Sequence, residues 1–215
     1  KENLAFRYPY EEIINIESKT SVSALANKAE SIKYAFSGEP SFMSKGGITA
    51  TGRGTAMHKV MQFIDYAKCN DIESEIERLY EWQFISEIEA ESLNIEKLKE
   101  FFQSAVFNRI QNANTVKREM RFLTEIPAGS VDNSLKGELY NEKVIVQGAV
   151  DLCFLENDGV VIVDFKTDRA DDVDSLKNAY SEQLNIYEKA VEKIFQKPIK
   201  EKIIYSFALG KEIVI

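Results

Sequence analysis

The stretch VIVQGAVDLCFLENDGVVIVDFK, from Val144 to Lys166, decides how this sequence folds. Two apolar, β-branched runs flank Glu156-Asn157-Asp158-Gly159, a composition that marks a tight hairpin turn. Within those runs sit three residues that strand interiors normally exclude: Asp151, Asp164 and Lys166. Side chains alternate along a strand, so Asp164 and Lys166 share a face. Directly opposed residues of an antiparallel pair share a face as well. A turn at Asn157-Asp158 sets Asp151 opposite Asp164; a turn at Asp158-Gly159 sets it opposite Lys166. An odd loop or a bulge separates the three. The other face (Val144, Val146, Val150, Leu152, Val161, Val163 and Phe165) reads as wholly apolar.

Ionised groups in such a setting are costly unless they are paired or bound to a cation. One reading is structural, an Asp–Lys ion pair across two strands with the second Asp capping the turn. The sharper reading is a divalent-metal site. Two hard oxygen ligands facing one point suit Mg²⁺ or Mn²⁺, which bind through few carboxylates and keep several waters. A lysine beside such an ion places a water or offsets charge developing on a phosphate.

The chain has 215 residues, enough for one domain with a full core and an arm. Its hydrophobic and charged fractions, 44% and 29%, are those of an ordinary soluble globular protein. No apolar run reaches membrane-spanning length, and the start lacks a signal-peptide pattern. Because it begins at Lys1 rather than Met, the sequence reads as a fragment of something longer. Cys69 and Cys153 make neither a disulfide framework nor a four-cysteine cluster, which fits a reducing cytosol. The net charge of −8 argues against indiscriminate nucleic-acid binding while leaving room for a local basic groove.

Residues 1–47 read as an arm or linker, with a helix from Ser21 to about Phe36 and loops at Ser37–Pro40 and Lys45–Gly47. Thr51-Gly52-Arg53-Gly54-Thr55 reads as a loop, with Thr55 capping a helix that buries Met57, Val60, Met61 and Ile64. His58, the only histidine, falls in the first turn of that helix; alone it fits a core residue or surface cap as well as a ligand. Asp71–Glu91 is acidic, with Ile72, Ile76, Leu79 and Tyr80 on one helical face, and Leu93–Arg109 continues as helix. Val116–Pro127 reads as a strand with Met120, Phe122 and Leu123 inside. Its Glu119 is either an exposed edge residue or a further acid near the site. Beyond the hairpin, an acidic loop at Asp168–Asp174 precedes an amphipathic helix through Leu176, Tyr180, Leu184, Tyr187, Val191 and Ile194, stopped by Pro198. Gln183 and Tyr187 lie one turn apart on it and point the same way. Lys200–Leu209 reads as a last strand. The order predicts a mixed α/β (α+β) fold. No phosphate-cradling ATP loop, zinc spacing or nucleophile-elbow serine is present.

Taken in order, four short motifs resemble the RecB-like branch of the PD-(D/E)XK nuclease superfamily, and within it the AddA-type nuclease domains of bacterial helicase–nucleases. They are Gly54-Thr55-Ala56-Met57-His58, Gln147-Gly148-Ala149-Val150-Asp151, Val163-Asp164-Phe165-Lys166-Thr167 and Gln183-Leu184-Asn185-Ile186-Tyr187. The resemblance implies a restriction-endonuclease-like core over residues 48–215, with a central mixed sheet of about four or five strands flanked by helices. It implies that His58, Asp151, Asp164 and the Phe165 carbonyl hold Mg²⁺ or Mn²⁺. Asp151, Asp164 and Lys166 become the catalytic residues, and Gln183, Tyr187 and Glu119 line the site or contact DNA. Two cysteines rule out the four-cysteine iron–sulfur cluster of some relatives. The implied activity is metal-dependent exonucleolytic hydrolysis of DNA single strands, fed by helicase domains of the same parent protein. The setting is double-strand-break repair and recombination in the bacterial cytoplasm at the nucleoid, beside an AddB-like partner and away from membranes. A stand-alone exonuclease and an inactive nuclease-like module that binds DNA or a partner are the competing readings.

Overall fold

The architecture comes from a computed structural model that describes residues 18–22, 24–25, 48–132, 134–168 and 172–215. Expectations for the helix beyond Leu25 and for the loops at Ser37–Pro40 and Lys45–Gly47 lie outside these residues, as does Arg169 in the acidic loop. A six-stranded mixed sheet forms the middle layer, one strand beyond the expected four or five. Its strands are β1 (Lys19–Ser21), β2 (Thr115–Pro127), β3 (Lys143–Leu155), β4 (Val160–Lys166), β5 (Ile199–Ser206) and β6 (Lys211–Val214). β1 and β6 add to the four strands read from the sequence: β1 lies where a helix was expected to open, and the last predicted strand breaks after Ser206, where the chain reverses through Gly210 at φ 62°.

β3 is the spine. β2 pairs antiparallel with it along nearly its whole length, Thr115 to Leu155 through Pro127 to Lys143. A strand has only two edges, so the other edge must be shared. β1 takes Ile145–Gln147 in parallel, and β4 takes Leu152–Leu155 antiparallel. Between them, residues 148–151 face a gap. β4 leaves β3 beyond the Leu152–Val163 pair but stays on β5 as far as Lys166 and Ser206. The sheet therefore forks at Asp151.

Helices cover both faces. On one side lie α1 (Ala50–Phe63), α2 (Ile72–Glu81), α3 (Glu87–Ser92), α4 (Ile95–Phe102) and α5 (Ala105–Gln111). Their apolar stripes pack on Leu152, Phe154, Val161, Val163 and Phe165. Phe101 anchors this core, edge-on to Phe165 at 5.3 Å and to Tyr205 at 4.8 Å between ring centroids. Such pairs contribute about 0.5–1.5 kcal/mol beyond the area they bury. A short α6 (Glu138–Asn141) lies between β2 and β3, and the opposite face is covered by the long α7 (Val173–Phe195), which packs on Ile162, Ile204, Val150 and Phe122. α7 ends with Gln196 in the left-handed conformation, just ahead of Pro198.

Several expectations change. α1 starts at Ala50, not Thr55: Thr49 is the N-cap, and its hydroxyl oxygen accepts from the Gly52 N–H at 3.0 Å. His58 consequently sits in the middle of the helix. The glycines read as loop residues serve close packing, since a Cβ on Gly54 would lie 2.9 Å from Thr167 Oγ1 at the end of β4. Leu123 is 67% exposed and Ile194 50%, so neither belongs to the core.

The predicted apolar face of the hairpin also divides. Leu152 and Phe154 pack under α1–α5, whereas Val146 and Val150, of the same parity, pack under α7, and Val144 joins a smaller cluster. β2 does likewise, with Val116 on the first side and Met120, Phe122 and Ile126 on the second. The switch falls where the β2–β3 ladder skips the Glu119–Asp151 pair and Glu119 adopts φ 47°. Alternation fails because a left-handed residue breaks the pleat there.

Candidate active site

Four elements deliver side chains to the fork. Leu152 pairs with Val163 and Leu155 with Val160, which is the register of a turn centred on Asn157-Asp158. That register places Asp151 across from Asp164, the first of the two alternatives. Asp151 enters neither ladder as a backbone partner. Instead its side chain bridges the fork: Oδ2 accepts from the Phe165 N–H at 2.8 Å. In an extended strand the N–H and C=O of one residue point to the same edge, so the Phe165 carbonyl also faces the gap. The Lys166 carbonyl, one residue on, accepts from Phe207 N–H on the β5 side at 2.8 Å.

From α1, His58 Nδ1 lies 3.4 Å from Asp151 Oδ1. Burial works to lower the His58 pKa, but the hydrogen bond and charge of Asp151 outweigh it and leave the imidazole more basic than usual. α1 is itself tied to β2. Arg118 Nη1 donates to the Ile64 carbonyl at 2.6 Å, and its guanidinium stacks 4.5 Å from the Tyr66 ring centroid. A cation at a helix C-terminus complements the exposed carbonyls there.

Asp164 is 1% exposed. Burial pushes its pKa up to about 6, against the pull of Lys166, whose Nζ lies 2.8 Å from Oδ2. That contact is an ion pair without hydrogen-bond alignment, and Oδ2 has no hydrogen-bond donor. On the other oxygen, Gln183 Nε2 donates to Oδ1 at 3.2 Å. The same amide accepts from Lys166 Nζ through Oε1 at 3.2 Å and contacts the Tyr187 hydroxyl at 2.7 Å. Lys166 is thus held by an acid and an amide, with its ammonium 4.1 Å above the Tyr180 ring. Tyr180 in turn donates its hydroxyl to Asp168.

Every side chain singled out from the sequence meets here, including Glu119. It is half-buried, not an exposed edge residue, and its carboxyl pKa is raised by burial and by Asp151 across the strand pair. Ligand atoms of His58, Glu119 and Asp151 lie within 4.8 Å of one another. Asp164 is not in that trio; its carboxylate belongs to Lys166 and Gln183. Tyr180 escapes the sequence reading, which sees in it only a core residue. The available signal is its place on one helical stripe with Gln183 and Tyr187 at i, i+3 and i+7.

The donor set fits a hard divalent ion, with carboxylate oxygens, one imidazole and a buried carboxylate oxygen lacking a donor. A cleft of about 1030 Å³ opens beside it, lined by Arg53, His58, Lys97, Lys166 and Thr167 among others. Arg53, Lys97 and Lys166 outnumber Asp168 among its charged lining residues, which gives a net-acidic chain a local place for phosphates.

Residues 33–212 match the family model of the PD-(D/E)XK nuclease superfamily. The chain is also similar to an ATP-dependent helicase/nuclease subunit of Clostridium botulinum (strain Hall), 36% identical over 226 aligned positions that cover 99% of this chain. The subunit of the same name from Clostridium kluyveri is 35% identical over 219 positions, covering 95% of the chain. In each case the chain spans 18% of the relative's length. Among the described residues, no helix is long and apolar enough to cross a membrane.

Proposed function

The chain belongs to the PD-(D/E)XK nuclease superfamily, and from that premise we propose that it is a divalent-metal-dependent deoxyribonuclease unit of a larger helicase–nuclease. The nuclease unit is residues 48–215, and residues 1–47 are an arm whose strand β1 pads the edge of β3. The observation that carries the reading is the placement of Lys166. Its ammonium is clamped by Asp164 and Gln183, and Lys166 lines the same cleft as His58.

His58, Asp151, Asp164 and the Phe165 carbonyl would hold Mg²⁺ or Mn²⁺. When bound, the ion supplies Lewis-acid stabilisation of the phosphate oxygens and makes a water more acidic. The protein's own part is positioning and charge. Lys166 places the attacking water and offsets negative charge as the phosphodiester is cleaved. Gln183 holds Lys166 in place, and Tyr187 fixes Gln183. Arg53 and Lys97 receive the backbone of a single DNA strand in the cleft.

The action is exonucleolytic on strands delivered by helicase domains of the parent protein, which works with an AddB-like partner in break repair in the cytoplasm, at the nucleoid. The relatives' name, a helicase/nuclease subunit, and their much greater length support the helicase part of this context. With a formal charge of −8, the isolated unit binds DNA weakly at physiological salt. The test is incubation with end-labelled single- and double-stranded DNA, with and without Mg²⁺ or Mn²⁺, beside Asp164→Ala. Metal-dependent shortening from an end, lost in the variant, is expected; cleavage that persists without metal or in the variant refutes the reading.

A further inference from the structure

We infer that the open face of β2 and β3 carries the DNA strand onward from the cleft, with Lys19 and Arg121 on its phosphates and Leu123 and Ile145 against its bases. This rests on the reading of the chain as a nuclease and deepens it, because neither the motifs nor the fork gives that face a role.

The face exists because the sheet is covered unequally. Phe122, Ile126, Val146 and Val150 pack under α7. By alternation, Leu123 and Ile145 point to the other side, the side of α1. Among the described residues, the core beneath α1–α5 takes nothing from β3 ahead of Leu152. Leu123 is left 67% exposed and Ile145 42%. Leu123 pairs with Gln147, which makes Ile145 its diagonal neighbour, about 7–8 Å away. Two large apolar side chains thus stand together in water.

The face begins at the site. Arg121 is two residues from Glu119 and pairs with Ala149, itself two residues from Asp151. His58 lines the cleft and faces Asp151 at 3.4 Å, so the site lies between the cleft and this face. From Asp151 to Ile145 the track runs roughly 20 Å, at the usual rise per strand residue.

Charge decides what fits there. Lys19 pairs with Ile145, and its neighbour Thr20 is buried beside Val146, so Lys19 lies on the open side. Glu125, on the same face, is already paired with Lys143 at 2.6 Å. Lys19 and Arg121 are exposed, and no ion pair among the described residues holds either. These cations suit phosphates, and the apolar pair suits bases that are not stacked in a duplex. Gln147, exposed beside them, can both donate to and accept from base edges. A duplex offers this face its phosphates alone, so the mixture selects a single strand.

The experiment is fluorescence-anisotropy titration of labelled oligothymidylate over a salt series that starts at low ionic strength, without metal so that cleavage does not intervene. The proteins are the unsubstituted chain, a Lys19→Gln/Arg121→Gln double variant and a Leu123→Ser/Ile145→Ser double variant. The glutamine variant should bind more weakly and flatten the slope of log affinity against log salt by about 1.4, since each phosphate contact on a single strand contributes about 0.7. The serine variant should bind the strand more weakly with its slope unchanged, and bind a duplex as the unsubstituted chain does. Thermal melts should shift little, because all four side chains are exposed; a merely structural role predicts the reverse, lower melting with unchanged DNA binding. If both variants match the unsubstituted chain in affinity and slope, the strand does not cross this face, which is then left to a protein neighbour, and the nuclease reading stands. No binding by the unsubstituted chain even at the lowest salt also overturns the inference. If the unsubstituted chain cleaves no DNA with Mg²⁺ or Mn²⁺, the nuclease reading fails and the inference with it.

Discussion

The carboxylate of Asp151 accepts a hydrogen bond from the backbone N–H of Phe165 at 2.8 Å, across the gap where β3 and β4 cease to pair. A side chain there replaces a missing ladder bond, and the same residue faces His58 with its other oxygen. Structure and chemistry therefore compete for one carboxylate, which makes the two separable by substitution.

Asp151→Asn retains an acceptor for Phe165 N–H, and Asp151→Ala does not. Both remove the same charge from beside Glu119 and Asp164, so that effect cancels between them. Metal-free urea unfolding should find the alanine variant less stable than the asparagine variant by about 1–3 kcal/mol, the cost of an unpaired buried donor. Equal stabilities would mean that the bond contributes nothing.

Asp164 makes the metal-free protein pH-sensitive. Its folded pKa of about 6 lies above the ordinary 3.8, so the native state binds the proton more tightly than the unfolded chain. Stability from this group is full below about pH 4, declines as pH rises from there to about 6, and is flat above. Glu156, whose pKa of about 2 reflects Arg109 and Lys200, acts in the opposite sense as pH falls from 4.5. Comparison with Asp164→Asn cancels that background. Unfolding free energies measured from pH 4 to 7 should show the unsubstituted chain losing ground to the variant as pH rises; parallel curves would contradict the assignment.

Removing Lys166 strands a buried carboxylate. Lys166→Met should lower stability at pH 7 by roughly 3 kcal/mol, the usual scale for breaking a buried pair by deleting one partner. Adding Asp164→Asn should restore most of the loss, because the uncompensated charge goes with it. Cleavage should stay about 10²–10³-fold down in both. A double variant as unstable as the single would show that packing, not charge, is what Lys166 supplies.

Gly54 sets the distance between α1 and the end of β4. A Cβ there would meet Thr167 Oγ1 at 2.9 Å, which pushes His58 away from Asp151. Gly54→Ala should therefore weaken Mn²⁺ binding even though alanine favours the helix by about 0.8–1.0 kcal/mol. In a Thr167→Ala background the clash is gone, and the same change should stabilise the fold by about that amount. Additive effects of the two substitutions in melts and metal titrations would rule out the contact.

Much of this is legible in the residues. The polar intrusions Asp151, Asp164 and Lys166 in apolar runs mark the site, and the Glu156–Gly159 composition marks the hairpin. The 3.6-residue spacing yields α7 and its Gln183–Tyr187 face, and the four ordered motifs point to the superfamily. Local rules fail where long-range packing overrides them. Thr49 out-competes Thr55 as the helix cap, and Gly54, which reads as loop, allows α1 to approach Thr167. Leu123 looks like core by hydrophobicity, but the switch of faces at Glu119 leaves it outside.

The sequence by itself determined the chemistry on offer: hard oxygen ligands, an imidazole and an ammonium, set at spacings that alternation and helical periodicity convert into shared faces. Tertiary structure decided which of those groups meet. Periodicity describes an unbroken strand or helix, whereas this site exists because β3 changes partners along one edge and its neighbour turns at a single residue. Those breaks follow from packing between segments far apart in the chain, and no local pattern encodes them.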